Sequence, residues 1–157
     1  MKELLLDLHR YNCWANTRLA QVFSENQDKI SERSRLLFSH LLNAQFIWLA
    51  RIRHEEAPYK VFQLHDVPTL LQLVNKCSDT LLAVLQDLPD EQTLQTNYTY
   101  TNTQGKTYTN SLLQIVTHVV NHSTYHRAQV ATDMRQTGLE PINTDYITYA
   151  RELNGEA

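Results

Sequence analysis

Three of the chain's seven histidines lie in the segment THVVNHSTYHRAQV, residues 117–130, where His118, His122 and His126 are spaced four residues apart. On an α-helix, residues four apart lie one turn along the same face. Two imidazoles at this spacing bind metal ions in H-x-x-x-H motifs. His118 and His126 would be about 12 Å apart along the axis, which leaves little slack for all three to reach one ion. Two ligands from this helix and one from elsewhere are the easier arrangement, and either pair fits.

His40 is the best candidate for the third ligand, because it lies in the middle of an otherwise apolar helical face. His9 lies at the edge of an apolar stripe, whereas His54 and His65 are predicted to be surface residues near a helix end and in a loop. Valines flank the histidine segment, and buried imidazoles need polar partners, which a metal ion supplies for several at once. The alternative interpretation is that His40 is an ordinary core histidine and that the H-x-x-x-H spacing is coincidental.

The elements that would position these histidines are predicted to be long helices, since only three glycines and four prolines interrupt 157 residues. Apolar residues recur at helical spacing in four segments. The predicted helices cover 3–23, Ser31 to a point before Pro58, Asp66 or Val67 to near Pro89, and about Leu112 to Gln136, the last capped by Asn110 or Ser111 and stopped by Gly138.

The remaining segments are predicted to be short. A Thr/Tyr/Asn-rich stretch at 93–110 indicates extended chain, with a small hairpin around the Gln-Gly pair at 104–105. A short final helix is predicted from Asn143 or Thr144 onward. The fold class is therefore predicted to be all-α: an antiparallel four-helix bundle with a short C-terminal helix and an extended connection before the fourth helix, forming one domain over 1–157.

The composition of the sequence argues against some classes of partner and location. Lys and Arg number 14 and Asp and Glu 17, for a net charge of −3, and no basic stripe is evident, so nucleic acid is not an expected partner. The sequence has no apolar run of about 18 residues and no signal-peptide pattern at its N-terminus, so we expect no membrane segment and a cytoplasmic location. Cys13 and Cys77 lack metal-type spacing and are predicted to be buried thiols.

The segment HVVNHSTYHRAQV resembles the signature of the DinB/YfiT-like family of four-helix-bundle metalloproteins. Three further stretches resemble the family in the expected order: YNCWANTRL at 11–19, FSHLLNAQFIWLARI at 38–52 and TDYITYAREL at 144–153. The matching positions of the central motif are Asn121, His122, Tyr125, His126, Arg127 and Gln129.

This resemblance implies a metal site made of His40, His122 and His126, with His118 as a neighbour that contacts or packs beside it. Tyr125 stands where many relatives carry another histidine, and Ala128 where glycine is frequent. These two departures remove no implied ligand, but they would alter the shape of the pocket and therefore the substrate.

Three neutral imidazoles leave coordination positions open, as catalytic zinc sites do, and nitrogen donors suit Zn²⁺ or Ni²⁺. The resemblance implies either a metal-dependent hydrolase or a transferase of low-molecular-weight thiols acting on a small molecule, and a homodimer. The alternative is a non-enzymatic metal-binding stress-response protein whose ion is structural.

Other polar residues near the motif have weaker predicted roles. Asn43 and Gln129 are candidates to orient a ligand through its second nitrogen. Tyr125 and Arg127 turn away from the ligands on the helix, which predicts packing and surface roles.

Overall fold

The computed structural model describes residues 1–156, without the side chains of residues 78 and 79. The described part of the chain is mostly helical, and the predicted all-α fold is confirmed. Its helices are α1 (Lys2–Glu25), α2 (Glu32–Arg53), α3 (Val67–Gln86), α4 (Leu112–Gln136) and α5 (Tyr146–Leu153), and its strands are β1 (Asn97–Thr101) and β2 (Thr107–Ser111).

Three of the long helices begin at the predicted capping residues. The Ser31 side chain accepts a hydrogen bond from the backbone N–H of Ser34 at the start of α2. The Asp66 side chain accepts a hydrogen bond from the backbone N–H of Thr69 at the start of α3, and Pro68 lies in the first turn of that helix. Ser111 and Gln114 form a reciprocal capping box at the start of α4. These contacts satisfy backbone donors that a helix leaves unpaired at its N-terminus.

The predicted hairpin is also present. Strands β1 and β2 pair antiparallel from Asn97↔Ser111 to Thr101↔Thr107, and Gly105 adopts a φ of 77° in the turn between them. Glycine suits this position because it has no Cβ to clash in the left-handed region. Since β2 ends at the capping residue of α4, the hairpin is held directly beside the N-terminal end of that helix.

Two of the three buried clusters of the core lie at opposite ends of the bundle, and their membership gives the helix directions. One cluster joins the C-terminal halves of α1 and α4 to the N-terminal halves of α2 and α3. The other joins the N-terminal halves of α1 and α4 to the C-terminal halves of α2 and α3. Helices α1 and α4 therefore run one way and α2 and α3 the other. The connection between α2 and α3, residues 54–66, must consequently run back along the bundle.

Helix α5 packs against one face of α1. Tyr149 of α5 is buried against Tyr11 and Trp14 of α1. The Tyr11 hydroxyl donates to the Thr144 carbonyl at 2.8 Å, and the Trp14 indole N–H donates to Glu152 at 2.8 Å. None of the helices in the described chain has the length and apolar character needed to cross a membrane.

Candidate metal centre

His40, His122 and His126 come together between two antiparallel helices. His40 lies on α2, and His122 and His126 lie one turn apart on α4. One ring nitrogen from each lies within 4.8 Å of those of the other two. The ring centroids are 4.4 Å apart for the two histidines of α4, and 5.0 and 4.5 Å from His40 to His122 and His126. His40 is buried and the other two are half-buried.

Hydrogen bonds on the far side of two rings set their tautomers. His40 Nδ1 lies 3.0 Å from the carbonyl oxygen of Val61, and His126 Nδ1 lies 2.8 Å from Oε1 of Gln129. Carbonyl oxygens only accept, so each Nδ1 carries the hydrogen and each Nε2 is left with a lone pair. Gln129 therefore orients a candidate ligand, as its position relative to His126 predicts.

The donor set fits a divalent metal ion. His122 Nε2 and His126 Nε2 are 3.1 Å apart, and two nitrogens bound at about 2.0–2.1 Å with tetrahedral geometry would be about 3.3 Å apart. The Nε2 atoms of His40 and His126 are both lone-pair donors, so they cannot satisfy each other by hydrogen bonding. A cation at their meeting point would satisfy both lone pairs.

The local electrostatics favour the neutral forms of His122 and His126, as metal ligation requires. Burial, followed by the neighbouring His126, His40 and His118, lowers the pKa of His122 to about 3. Burial and the neighbouring His40 also lower the pKa of His126, although its hydrogen bond with Gln129 acts in the opposite direction. Burial and the neighbouring imidazoles both disfavour adding a positive charge to these two residues.

His118 lies beside this cluster and not within it. Its ring centroid is 5.2 Å from that of His122 and 5.3 Å from that of Trp48. Among the described residues, the group with converging ligand atoms consists of His40, His122 and His126 and does not include His118. The placement matches the neighbouring position that the motif resemblance implies for His118.

A sequence model of the DinB family matches residues 1–155. The chain belongs to the DinB family. It is also similar to Protein DinB of Bacillus subtilis (strain 168), with 20% identity over 166 aligned residues that cover 95% of each chain. The membership expected from the motif resemblance is therefore confirmed over nearly the whole chain.

Two exposed aromatic side chains flank the histidines of this DinB-family site. Phe62, from the α2–α3 connection, stacks on His40 with ring centroids 4.5 Å apart and is 67% exposed. Tyr125 contacts His126 edge-to-face at 5.1 Å and is 62% exposed. The exposure of Tyr125 agrees with a surface role, but its ring contacts a candidate ligand from which its position on the helix predicts that it turns away.

The predicted surface position of His65 is also wrong. The residue is buried, its backbone N–H donates to the Ser39 hydroxyl at 3.0 Å, and its Nε2–H donates to Asn43 Oδ1 at 2.8 Å. Asn43 in turn donates to the Gln63 carbonyl. Asn43 therefore anchors the α2–α3 connection and does not orient His40. His54, by contrast, is exposed as predicted.

Arg127 is buried, although its sequence position predicts a surface role. Its Nη1 donates to Asn12 Oδ1 at 2.7 Å and Asn16 Oδ1 at 2.9 Å. Its Nη2 donates to the Tyr11 hydroxyl at 3.2 Å and Thr124 Oγ1 at 3.0 Å. The spacing of Asn12 and Asn16, four apart within an apolar stripe, is the signal that could have indicated a buried donor.

Proposed function

We propose that this chain binds one divalent metal ion through His40, His122 and His126 and uses it to act on a small molecule. The observation that carries the proposal is the convergence of three imidazoles whose tautomers are set for ligation at two positions. No fourth His, Cys, Asp or Glu of the described residues joins the group. A site with three protein ligands leaves room for water or substrate, as catalytic zinc sites do.

The charge of the donor set supports an anionic fourth ligand. Three neutral imidazoles leave the charge of a divalent ion uncompensated, so hydroxide or thiolate is favoured at the open position. A bound divalent ion supplies Lewis acidity, which lowers the pKa of a coordinated water or thiol. We expect Zn²⁺ or Ni²⁺, because both suit imidazole nitrogen.

Thiol transfer is the reaction class that the surroundings favour over hydrolysis. Hydrolysis often uses a carboxylate as the general base beside the nucleophilic water, and no carboxylate of the described residues converges with the three imidazoles. A thiol that has lost its proton to solvent needs no such base when it attacks an electrophilic carbon. A sulfur–carbon bond then forms, and the leaving group departs with the electron pair of the bond that breaks.

The rival proposal is a purely structural ion in a stress-response protein. A structural ion is usually enclosed by four protein ligands. Here His122 and His126 are half-buried, and the adjoining Phe62 and Tyr125 are largely exposed. This exposure supports access of solvent and substrate, and therefore catalysis.

Metal analysis of purified variants tests the ligand assignment. We expect about one divalent ion per chain, lost in His122→Ala and in His126→Ala and largely retained in the matched control His118→Ala. Loss in His118→Ala with retention in His126→Ala would show that the other H-x-x-x-H pair binds the ion. Absence of metal after supplementation would overturn the proposal.

Activity assays of the metal-loaded protein test the reaction class. Bacterial low-molecular-weight thiols would be supplied with an aryl chloride, and release of chloride with formation of the thioether would be measured. Hydrolysis of activated esters would be measured in parallel. Thioether formation that depends on His126 supports transfer, ester cleavage with the same dependence supports hydrolysis, and neither activity in a metal-loaded protein supports the structural ion.

A further inference from the structure

A cleft of about 370 Å³ lies between the C-terminal half of α2, the α2–α3 connection and the turn of the hairpin. Its charged residues are Arg51, Lys60 and Glu55, and much of the remaining lining is apolar, including Ile47 and Val61. The cleft therefore combines an apolar wall with an excess of one positive charge.

Arg51 is held in place by aromatic rings. Its guanidinium carbon lies 4.4 Å from the ring centroid of Trp48 and 4.3 Å from that of Tyr100. These cation–π contacts fix a long side chain whose ordering would otherwise cost entropy at the moment of binding. The side chain is half-buried, yet within the described chain its guanidinium makes no ion pair and donates no hydrogen bond to a protein acceptor.

An ordered arginine whose donors have no protein acceptor is available to bind an anion. A guanidinium has five N–H donors and matches the two oxygens of a carboxylate. Burial lowers the pKa of Arg51, but a guanidinium stays protonated at neutral pH. Glu55 lines the same cleft without forming an ion pair with Arg51, so the donors of Arg51 remain available to a ligand.

The cleft and the histidines share one face of α2. His40 and Arg51 are eleven residues apart, which is about three turns and about 16 Å along the axis. Val61 lines the cleft, and its carbonyl oxygen accepts the hydrogen bond from His40. On the other side, the Trp48 ring beneath Arg51 contacts His118, which lies beside His122. The cleft and the candidate metal centre are therefore linked through Val61 on one side and through Trp48 and His118 on the other.

We propose that this cleft binds a small organic carboxylate with an apolar body, that Arg51 is the residue that recognises the carboxylate, and that this is the anchoring end of the substrate. The anion site itself rests on Arg51 and the cleft, whereas its role as a substrate anchor rests on the proposed function. The apolar wall accommodates the body of the ligand, and Lys60 adds attraction at the exposed rim.

Calorimetric titration with phenylacetate and its uncharged analogue phenylacetamide tests the site. We expect the wild-type protein to bind phenylacetate at least about tenfold more tightly than phenylacetamide, since a charge-assisted pair distinguishes the two. Arg51→Met should abolish this preference, and Arg53→Met, which removes an exposed arginine from the same helix turn, should preserve it. Equal affinity for acid and amide in the wild-type protein would overturn the proposal without relying on any variant.

The same titration on His122→Ala separates this proposal from the proposed function. Retained phenylacetate binding in that metal-deficient variant supports the cleft, whatever the protein catalyses. Binding that is lost in His122→Ala but kept in Arg51→Met would place the carboxylate on the metal ion and overturn the Arg51 site. Loss in Arg51→Met with normal metal content and normal helicity supports it.

Discussion

Replacing Arg127 with methionine should destabilise the protein. Arg127 is 3% exposed and donates four hydrogen bonds, to Asn12, Asn16, Tyr11 and Thr124. Within the described chain no carboxylate forms an ion pair with it. The charge is therefore held by neutral oxygens alone, and the substitution removes both a favourable network and an unfavourable buried charge.

The lost hydrogen bonds cost more free energy than the removal of the buried charge returns. Methionine fills the volume of the arginine stem but donates nothing, so the buried amide oxygens of Asn12 and Asn16 lose their donor. Each orphaned buried acceptor costs about 1–3 kcal/mol, for a total of about 2–6 kcal/mol. Removing a cation that burial disfavours, as the lowered pKa of Arg127 shows, returns part of this cost. We expect a net loss of about 2–4 kcal/mol in the free energy of unfolding.

Urea unfolding of chelator-treated protein at neutral pH measures this loss. Arg135→Met is the matched control, because Arg135 lies on the same helix but is exposed, and a change within about 1 kcal/mol is expected there. Arg127→Lys should lie between the wild type and Arg127→Met, since lysine keeps the charge with three donors. An Arg127→Met variant as stable as the wild type would refute the argument that orphaned asparagines dominate.

Two further predictions concern histidines. Gln129→Met removes the acceptor that orients His126 and should weaken metal binding about 10–100-fold in a chelator competition. Gln136→Met, at the exposed end of α4, should leave the metal affinity unchanged. Equal metal affinities of Gln129→Met and the wild type would show that the contact with Gln129 does not affect the site. Burial lowers the pKa of His9 from 6.5 to about 4, so folded protein binds fewer protons there than unfolded protein, and stability is lost as pH falls from about 6.5 towards 4. At pH 5 the wild type has lost about 2 kcal/mol of its free energy of unfolding through His9. Between pH 7.5 and pH 5, the free energy of unfolding measured in urea should therefore fall by about 2 kcal/mol less in His9→Leu than in the wild type. An equal fall in both proteins would contradict a buried neutral His9.

The helices and their boundaries could be predicted because their signals are local. Ser31, Asp66 and Ser111 cap helices through side chains that reach backbone groups three residues away, and the apolar stripes repeat within a single helix. The directions of the helices could not be predicted in this way. They depend on how two separate core clusters assemble, and helices α2 and α3 run parallel because the connection between them is long enough to return along the bundle.

The candidate site was only partly predictable. Spacing alone left two H-x-x-x-H pairs open, since both place imidazoles one turn apart; the choice of His122 and His126 came from the motif resemblance. The structure brings these two to His40 and leaves His118 beside Trp48. The surface positions predicted for Arg127 and His65 are wrong because distant partners bury these residues. The partners are Asn12 and Asn16 for Arg127, and Ser39 and Asn43 for His65. Such contacts have no local periodicity in the sequence.

The buried position of His65 explains how the α2–α3 connection is fixed beside His40. Because α2 and α3 run parallel, residues 54–66 must pass along the bundle, and His65 fixes this segment by hydrogen bonds to Ser39 and Asn43, on either side of His40 in sequence. The segment thereby presents the Val61 carbonyl to His40 and the Phe62 ring to the same imidazole. Its path therefore sets the His40 tautomer, one edge of the candidate metal centre and one wall of the Arg51 cleft together. A change that loosens this anchor should affect all three at once.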